Sequence, residues 1–192
     1  IIRHFVKNEN KAEQLINKEL DLCGIATIAD QMPLTDFNRS FAYWGVKELQ
    51  KSKRLGLEQL LDSASIKKPD ITATTINFAL APRINAMGRL KNGLDALRLL
   101  CTHNRAQAKE LAEELSETNL ERQDLTVSQI QKASEQVKEQ LDENIFIVQS
   151  DDFHEGVIGL IAGKICEKYH KPTIVIAVDG DTAKASARSI PG

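Results

Sequence analysis

The chain has 192 residues, 42% hydrophobic and 27% charged, which suits one large or two small globular domains with an ordinary core. Its formal net charge of −2 excludes a global electrostatic pull toward nucleic acid. No apolar run is long enough to span a bilayer, and the start carries no signal-peptide pattern. Cys23, Cys101 and Cys166 have no metal-ligand spacing and suit a reducing, cytoplasmic setting. The sequence begins at Ile1 without methionine and stops at Ser189-Ile190-Pro191-Gly192, inside a strand and its turn, so we expect a piece of a longer protein.

Residues 11–30 read as one helix, with an apolar stripe through Leu15, Ile16, Leu20, Leu22 and Cys23 and small residues after Gly24. Asp30 ends that run. It is either an ordinary cap or turn residue, or a carboxylate at the wall of a site. Thr35, Asp36 or Asn38 caps the next helix, to about residue 52, where Phe41, Trp44, Val46 and Leu49 supply inward positions and Trp44 reads as core. Lys51-Ser52-Lys53-Arg54 is a basic end that suits a helix C-terminus. A short helix over 57–64 and a loop over 65–70 follow. Thr72 caps an amphipathic run over 74–80.

That run leads into Ala81-Pro82-Arg83-Ile84-Asn85-Ala86-Met87-Gly88-Arg89-Leu90. Pro82 breaks or restarts the helix. Gly88 permits a close approach or an unusual backbone beside Arg89. Arg83 and Arg89 offer forked donors that suit a phosphate, and Asn85 adds another. A kinked helix with surface arginines is the alternative. From residue 81 to 105 there are five bases and one acid, whereas residues 106–144 carry ten acids and four bases. The basic block is a candidate phosphate-binding face or a solvated one.

Residues 93–101 form another short helix. Asn104 caps a long pattern without glycine or proline until past Gln140, about 55 Å long if unbroken. It is packed at both ends and polar over 116–124, the mark of a solvated bridge between two bodies. The pattern then changes to a strand over 145–148, a helix over 156–169, a strand over 173–178, a turn at Asp179-Gly180-Asp181 and a strand over 182–190. The fold class is therefore α/β: a mainly helical part, a long connector helix and the start of a small α/β unit.

Two features of this last part carry chemistry. His154-Glu155-Gly156-Val157-Ile158-Gly159 opens a helix with three glycines up to Gly163, which suits tight packing or an anion at its N-terminus. On the final strand Lys184, Ser186 and Arg188 share one face, opposite alanines. That face suits a phosphate-bearing ligand; the bland reading is a solvated sheet edge.

Four stretches in order resemble the RecJ family of single-stranded-DNA-specific exonucleases, within the DHH phosphoesterase superfamily. They are Thr27-Ile28-Ala29-Asp30 followed by Pro33-Leu34; the arginine motif over residues 81–90; His154-Glu155-Gly156-Val157-Ile158-Gly159; and Ser186-Ala187-Arg188-Ser189. The resemblance covers nearly the whole chain. It implies that residues 1–103 end a DHH domain, residues 104–141 form the inter-domain helix, and residues 142–192 start a DHH-associated domain. It implies hydrolysis of single-stranded DNA from the 5′ end with Mn²⁺ or Mg²⁺, in DNA repair and recombination. Asp30 matches the last metal-binding, catalytic aspartate. Arg83, Asn85, Arg89, His154, Ser186 and Arg188 match substrate-facing positions. The Asp-His-His motif and earlier aspartates of the superfamily are absent, so this segment alone is expected to be inactive. Two readings stand beside this one: another DHH phosphodiesterase acting on short oligonucleotides or cyclic dinucleotides, and an inactive DHH-fold replication scaffold.

Overall fold

The computed structural model describes residues 2–191, the side chain of Arg3 apart; Ile1 and Gly192, which bound the expected segments 1–103 and 142–192, lie outside the described residues. The chain packs as two compact units. One holds the chain up to Met87 together with Gly93–Glu117; the other holds Gly88–Asn92 and the chain from Thr118 onward.

The first unit is helical. It contains α1 (Ile2–Phe5), α2 (Glu9–Lys18), α3 (Leu20–Ala29), α4 (Asp36–Leu49), α5 (Leu55–Ser63), α6 (Ala73–Thr75), most of α7 (Ala81–Leu90), α8 (Gly93–Cys101) and the start of α9 (Arg105–Lys138). The single helix expected over 11–30 is divided at Glu19, which closes α2 and opens α3. α2 buries only Ala12, whereas α3 buries Asp21, Gly24, Ile25, Thr27 and Ile28; the break lets each half turn its own face inward. α3 meets α4 at two glycines. A Cβ on Gly24 would lie 2.6 Å from the Gly45 Cα, so only glycines permit this backbone approach.

That crossing explains why Trp44 is not core. The buried positions of α4 are Ala42, Gly45 and Leu49, and Trp44 lies one step round the helix, 56% exposed. Phe37, Phe41 and Tyr43 are exposed with it. The basic end after α4 also has a tertiary role. Asp21, 3% exposed, accepts hydrogen bonds from Ser52 Oγ at 2.7 Å and Arg54 Nε at 3.4 Å. Burial alone would lower the Arg54 pKa, but hydrogen bonding and charge from Asp21, with help from Glu19, raise it. The core below is formed by Leu49, Leu57, Leu60, Leu61, Ile76, Leu80, Met87 and Leu99, with Ala108, Leu111, Ala112 and Leu115 of α9.

Pro82 does not break the chain's helical path. Thr72 and Thr75 make a capping box, and the turn Ile76–Leu80 widens to a π-helix before α7 begins. Such a widened turn accommodates a ring that lacks an N–H and would crowd the carbonyl four residues back. Gly88, by contrast, is helical and exposed, with nothing within 4 Å of where a Cβ would stand, so neither a close approach nor an unusual backbone explains it.

α9 has 34 residues, about 51 Å at 1.5 Å per residue. Asn104 Oδ1 caps it, accepting from the N–H groups of Ala106 (2.9 Å) and Gln107 (3.2 Å). It continues from the first unit into the second. Its polar middle is not simply solvated as expected: Thr118 is 0% and Asn119 3% exposed, while Glu117, Leu120 and Glu121 are exposed. Polar composition there marks one buried polar stripe beside an exposed face.

The second unit carries β1 (Phe146–Ser150), α10 (Ile158–Tyr169), β2 (Thr173–Asp179) and β3 (Thr182–Arg188). The sheet order is β1-β2-β3, with β1 parallel and β3 antiparallel to β2. Phe146, Val148, Val175 and Ala177 bury one sheet face with Val157, Ile158, Ile161, Ala162 and Ile165, and with Ala133 and Val137 of α9. The outer edge of β1 is closed by side chains. Gln136 donates to Gln149 O (2.9 Å) and accepts from Gln149 N (3.1 Å), and Gln140 does the same with Ile147 at 2.9 Å each way. Two amides one helical turn apart thus stand in for a neighbouring strand.

Candidate nucleic-acid interface

Strand register sets the cationic face. Arg188, Ser186 and Lys184 pair with Thr173, Val175 and Ala177, all on the buried side of β2. All three therefore project toward the side on which α10 packs. α10 would crowd them but for Gly159: a Cβ there would stand 3.2 Å from Ser186 Oγ and 3.4 Å from Arg188 Nη2. Beside Gly159 lies an open cavity of about 520 Å³, lined by Arg89, Glu155, Gly159, Lys184, Ser186 and Arg188, with Gly88, Gly156, Ile158 and Ala185.

Arg89 reaches this cavity because Gly88–Asn92 packs within the second unit. Its Nη1 donates to Gly156 O at 3.2 Å. A Cβ on Gly156 would strike the Arg89 carbonyl, so Gly156 is the close-approach glycine of the motif. Arg89, Ser186 and Arg188 all line one cavity of one unit.

The cavity's one lining carboxylate is Glu155, paired with Lys184 Nζ. The hydrogen bond and then the charge of Lys184 hold the Glu155 carboxyl below the usual range. His154 stands beside this wall. Its backbone N–H donates to Gln129 Oε1 at 3.1 Å, and its Nδ1 accepts from the Gly156 N–H at 3.0 Å. That second bond makes Nδ1 an acceptor, leaving Nε2 as the protonated nitrogen.

Arg83, Asn85 and Asp30 belong to the first unit. Arg83 Nε donates to Ser116 Oγ (3.1 Å) and Nη1 to Ala79 O (2.8 Å), and burial pushes its guanidinium below the usual range. Two of its three nitrogens thus hold the π turn and α9, a structural task that its sequence position did not suggest. Asn85 is exposed on α7. Asp30 is exposed at the C-terminal end of α3, where its backbone N–H bonds Ala26 O at 3.0 Å. A carboxylate at this end opposes the helix dipole, so Asp30 is not there as a favourable cap. Among the described residues no group of three or more His, Cys, Asp or Glu stands close enough to hold a metal ion. Asp30 alone does not make a metal site.

No family model matches the chain. It is 37% identical over 182 residues to the single-stranded-DNA-specific exonuclease RecJ of Bacillus subtilis, a match that covers 93% of this chain and 23% of that protein. RecJ of Escherichia coli is 34% identical over 181 residues, covering 90% of this chain and 31% of its own. Among solved structures, RecJ of Thermus thermophilus in complex with Mg²⁺ superposes with a TM-score of 0.78 at 30% identity, over 91% of this chain and 27% of the other. Exonuclease RecJ bound to manganese gives 0.79 at 30% identity, over 91% and 43%. The chain spans about a quarter to a third of the length of the curated relatives it matches.

Proposed function

Because the chain corresponds in sequence and in fold to a segment of the RecJ exonucleases over nine tenths of its length, we propose that it is the strand-binding part of a metal-dependent 5′-to-3′ single-stranded-DNA exonuclease, acting in the cytoplasm in DNA repair and recombination. In this reading residues 1–103 close the DHH domain, residues 104–141 connect, and residues from 142 open the DHH-associated domain. The observation that carries the reading is the cavity around Gly159, into which Arg89, Lys184, Ser186 and Arg188 converge. Three cations and a hydroxyl donor against one carboxylate favour a phosphodiester over a neutral or cationic ligand. The arginines neutralise strand phosphates, Ser186 donates to a non-bridging oxygen, and Gly159 keeps that oxygen's approach open. His154, Arg83 and Asn85 are assigned to the path of the strand beyond this phosphate.

The cofactor is Mn²⁺ or Mg²⁺, in keeping with the solved relatives. A pair of such ions supplies hydroxide and neutralises charge on the phosphate in flight. Asp30 is the one ligand assigned within this chain, and one carboxylate does not suffice for two ions. The work of these residues is to bind and orient the strand.

The test is binding of the chain to a labelled single-stranded oligonucleotide in a metal chelator, at several salt concentrations. Arg188→Ala and Ser186→Ala should each weaken binding, the arginine by about 1.5–3 kcal/mol for a lost charge-assisted hydrogen bond. The salt slope should fall by about 0.7 with Arg188→Ala, one phosphate contact on a single strand. Wild-type affinity and slope in both variants would remove this cavity as the strand site.

A further inference from the structure

We propose that the aromatic face of α4 is a stacking platform for the nucleobases of a single strand. It is a site in the first unit, separate from the phosphate cavity, and it rests on the single-strand reading given above. The chain has six Phe, two Tyr and one Trp, and four of these nine, Phe37, Phe41, Tyr43 and Trp44, stand exposed on this one 14-residue helix. Single exposed rings are ordinary on a protein surface; four on one helix form a patch that marks a binding surface. Packing within the unit does not call for them. α4 turns Ala42, Gly45 and Leu49 inward, and Gly45 meets the backbone of Gly24 on α3. Phe37, Phe41 and Trp44 follow one another at four and three residues, so they form one stripe about 10 Å long at 1.5 Å per residue, room for more than one nucleobase. The Tyr43 ring stands edge-on to the Trp44 ring with 5.1 Å between centroids, which buttresses the indole.

Charge selects the occupant. Lys47 lies three residues from Trp44 and four from Tyr43, hence beside both rings, and Arg39 is exposed on the same helix. Neither pairs with a carboxylate among the described residues, whereas Lys51 takes Glu48 at 3.4 Å. A protein surface that closed over the rings would bury Lys47 with them, and that charge would need a carboxylate from the partner. A single strand answers both features at once: its unstacked nucleobases offer flat apolar faces to the rings, and its phosphates offer anions to Lys47 and Arg39. The platform also adjoins the residue assigned to the metal. α3 ends at Ala29 and α4 begins at Asp36, so Asp30 and Phe37 flank one short loop. That loop is pinned, with the Met32 N–H donating to Thr27 O (3.1 Å) and Asn38 Nδ2 to Pro33 O (3.0 Å), and its Met32 and Leu34 side chains extend the exposed apolar surface.

Trp44 is the chain's one tryptophan, so its fluorescence reports on the platform directly. The experiment titrates the chain in a metal chelator with a labelled single-stranded oligonucleotide and with an abasic one of equal length, which keeps the phosphates and lacks the nucleobases. Anisotropy across a salt series gives affinities, and thermal melts of the free proteins run alongside. The ordinary strand should quench Trp44 and bind about fivefold to a hundredfold more tightly than the abasic one. Phe37→Ala and Trp44→Ala should each lose affinity for the ordinary strand by about fivefold or more, and should bind the abasic strand as wild type does. Their salt slopes should stay unchanged, because no phosphate contact is lost. Both should melt with wild type, since the rings are exposed, and Trp44→Phe should restore most of the binding. Arg188→Ala should show the opposite pattern, weaker for both strands with a smaller slope and with the preference for nucleobases intact. Equal affinity of the wild type for the two strands overturns the platform, as does wild-type affinity in both alanine variants at α4; either result leaves the cavity reading standing. Trp44 emission that changes with protein concentration alone, with a doubled mass in sedimentation, assigns the face to a second copy of the chain and overturns the platform too. A chain that binds neither strand overturns both readings.

Discussion

Glu155 sits among the cations of the cavity and competes with any anion for Lys184. Both partners are exposed, so the pair adds little to stability. Its influence is on the ligand. Lys184 holds the Glu155 pKa down, so the carboxylate stays charged at neutral pH and the pairing is lost only as pH falls through that lowered value. Glu155→Gln should therefore bind single-stranded DNA more tightly than wild type at neutral pH. The difference should close under acid, as the wild-type carboxylate takes up its proton. Anisotropy at a series of pH values checks this. Equal or weaker binding by the variant at neutral pH would show that Lys184 is free for the strand despite its neighbour. Melting temperatures of the two proteins should coincide.

At the scale of elements, glycines divide into those that shape packing and one that shapes the site. Gly24 faces Gly45 backbone at the crossing of α3 and α4, and neither helix can yield a side-chain atom there. Gly24→Ala should destabilise the chain by at least about 1–3 kcal/mol, the usual effect of overpacking. Gly159→Ala meets side-chain atoms instead, Ser186 Oγ and the tip of Arg188. The gain in helix propensity, about 1 kcal/mol, offsets the crowding. This variant should melt near wild type and yet bind single strands weakly, because the methyl fills the phosphate's place. Denaturation and binding measured on both variants separate the two roles; normal binding by Gly159→Ala would leave its glycine unexplained. The same division governs what the sequence reveals. Asn104 as the cap of α9, the span Gly93–Cys101 and the two strands around Asp179 and Asp181 follow local rules and are legible from residue order. Trp44 outside the core, Thr118 and Asn119 inside it, and Gln136 and Gln140 along the edge of β1 are not, because each depends on which element comes to lie alongside.

In the proposed reading the chain as a whole supplies strand-binding residues and a single metal ligand. The cations that line the cavity lie in the second unit, while the one metal ligand assigned in the proposed reading, Asp30, lies in the first. A two-ion phosphodiesterase needs several carboxylates or imidazoles within a few ångströms of the scissile phosphate. Among the described residues no three such groups gather, and Asp30 is exposed at a helix end. Binding and cleavage should therefore separate in this chain. Incubated with labelled single-stranded DNA and Mn²⁺, it should bind the strand and release no nucleotides above a metal-free control. Asp30→Ala should bind as wild type does, since that carboxylate makes no part of the phosphate cavity. Mn²⁺ should leave the melting temperature of the chain unchanged, because an ion held by one exposed carboxylate adds nothing measurable. Metal-dependent release of mononucleotides that Asp30→Ala abolishes would mean that these residues do assemble a working site. A metal-induced rise in melting temperature, lost in the same variant, would locate that site at the end of α3.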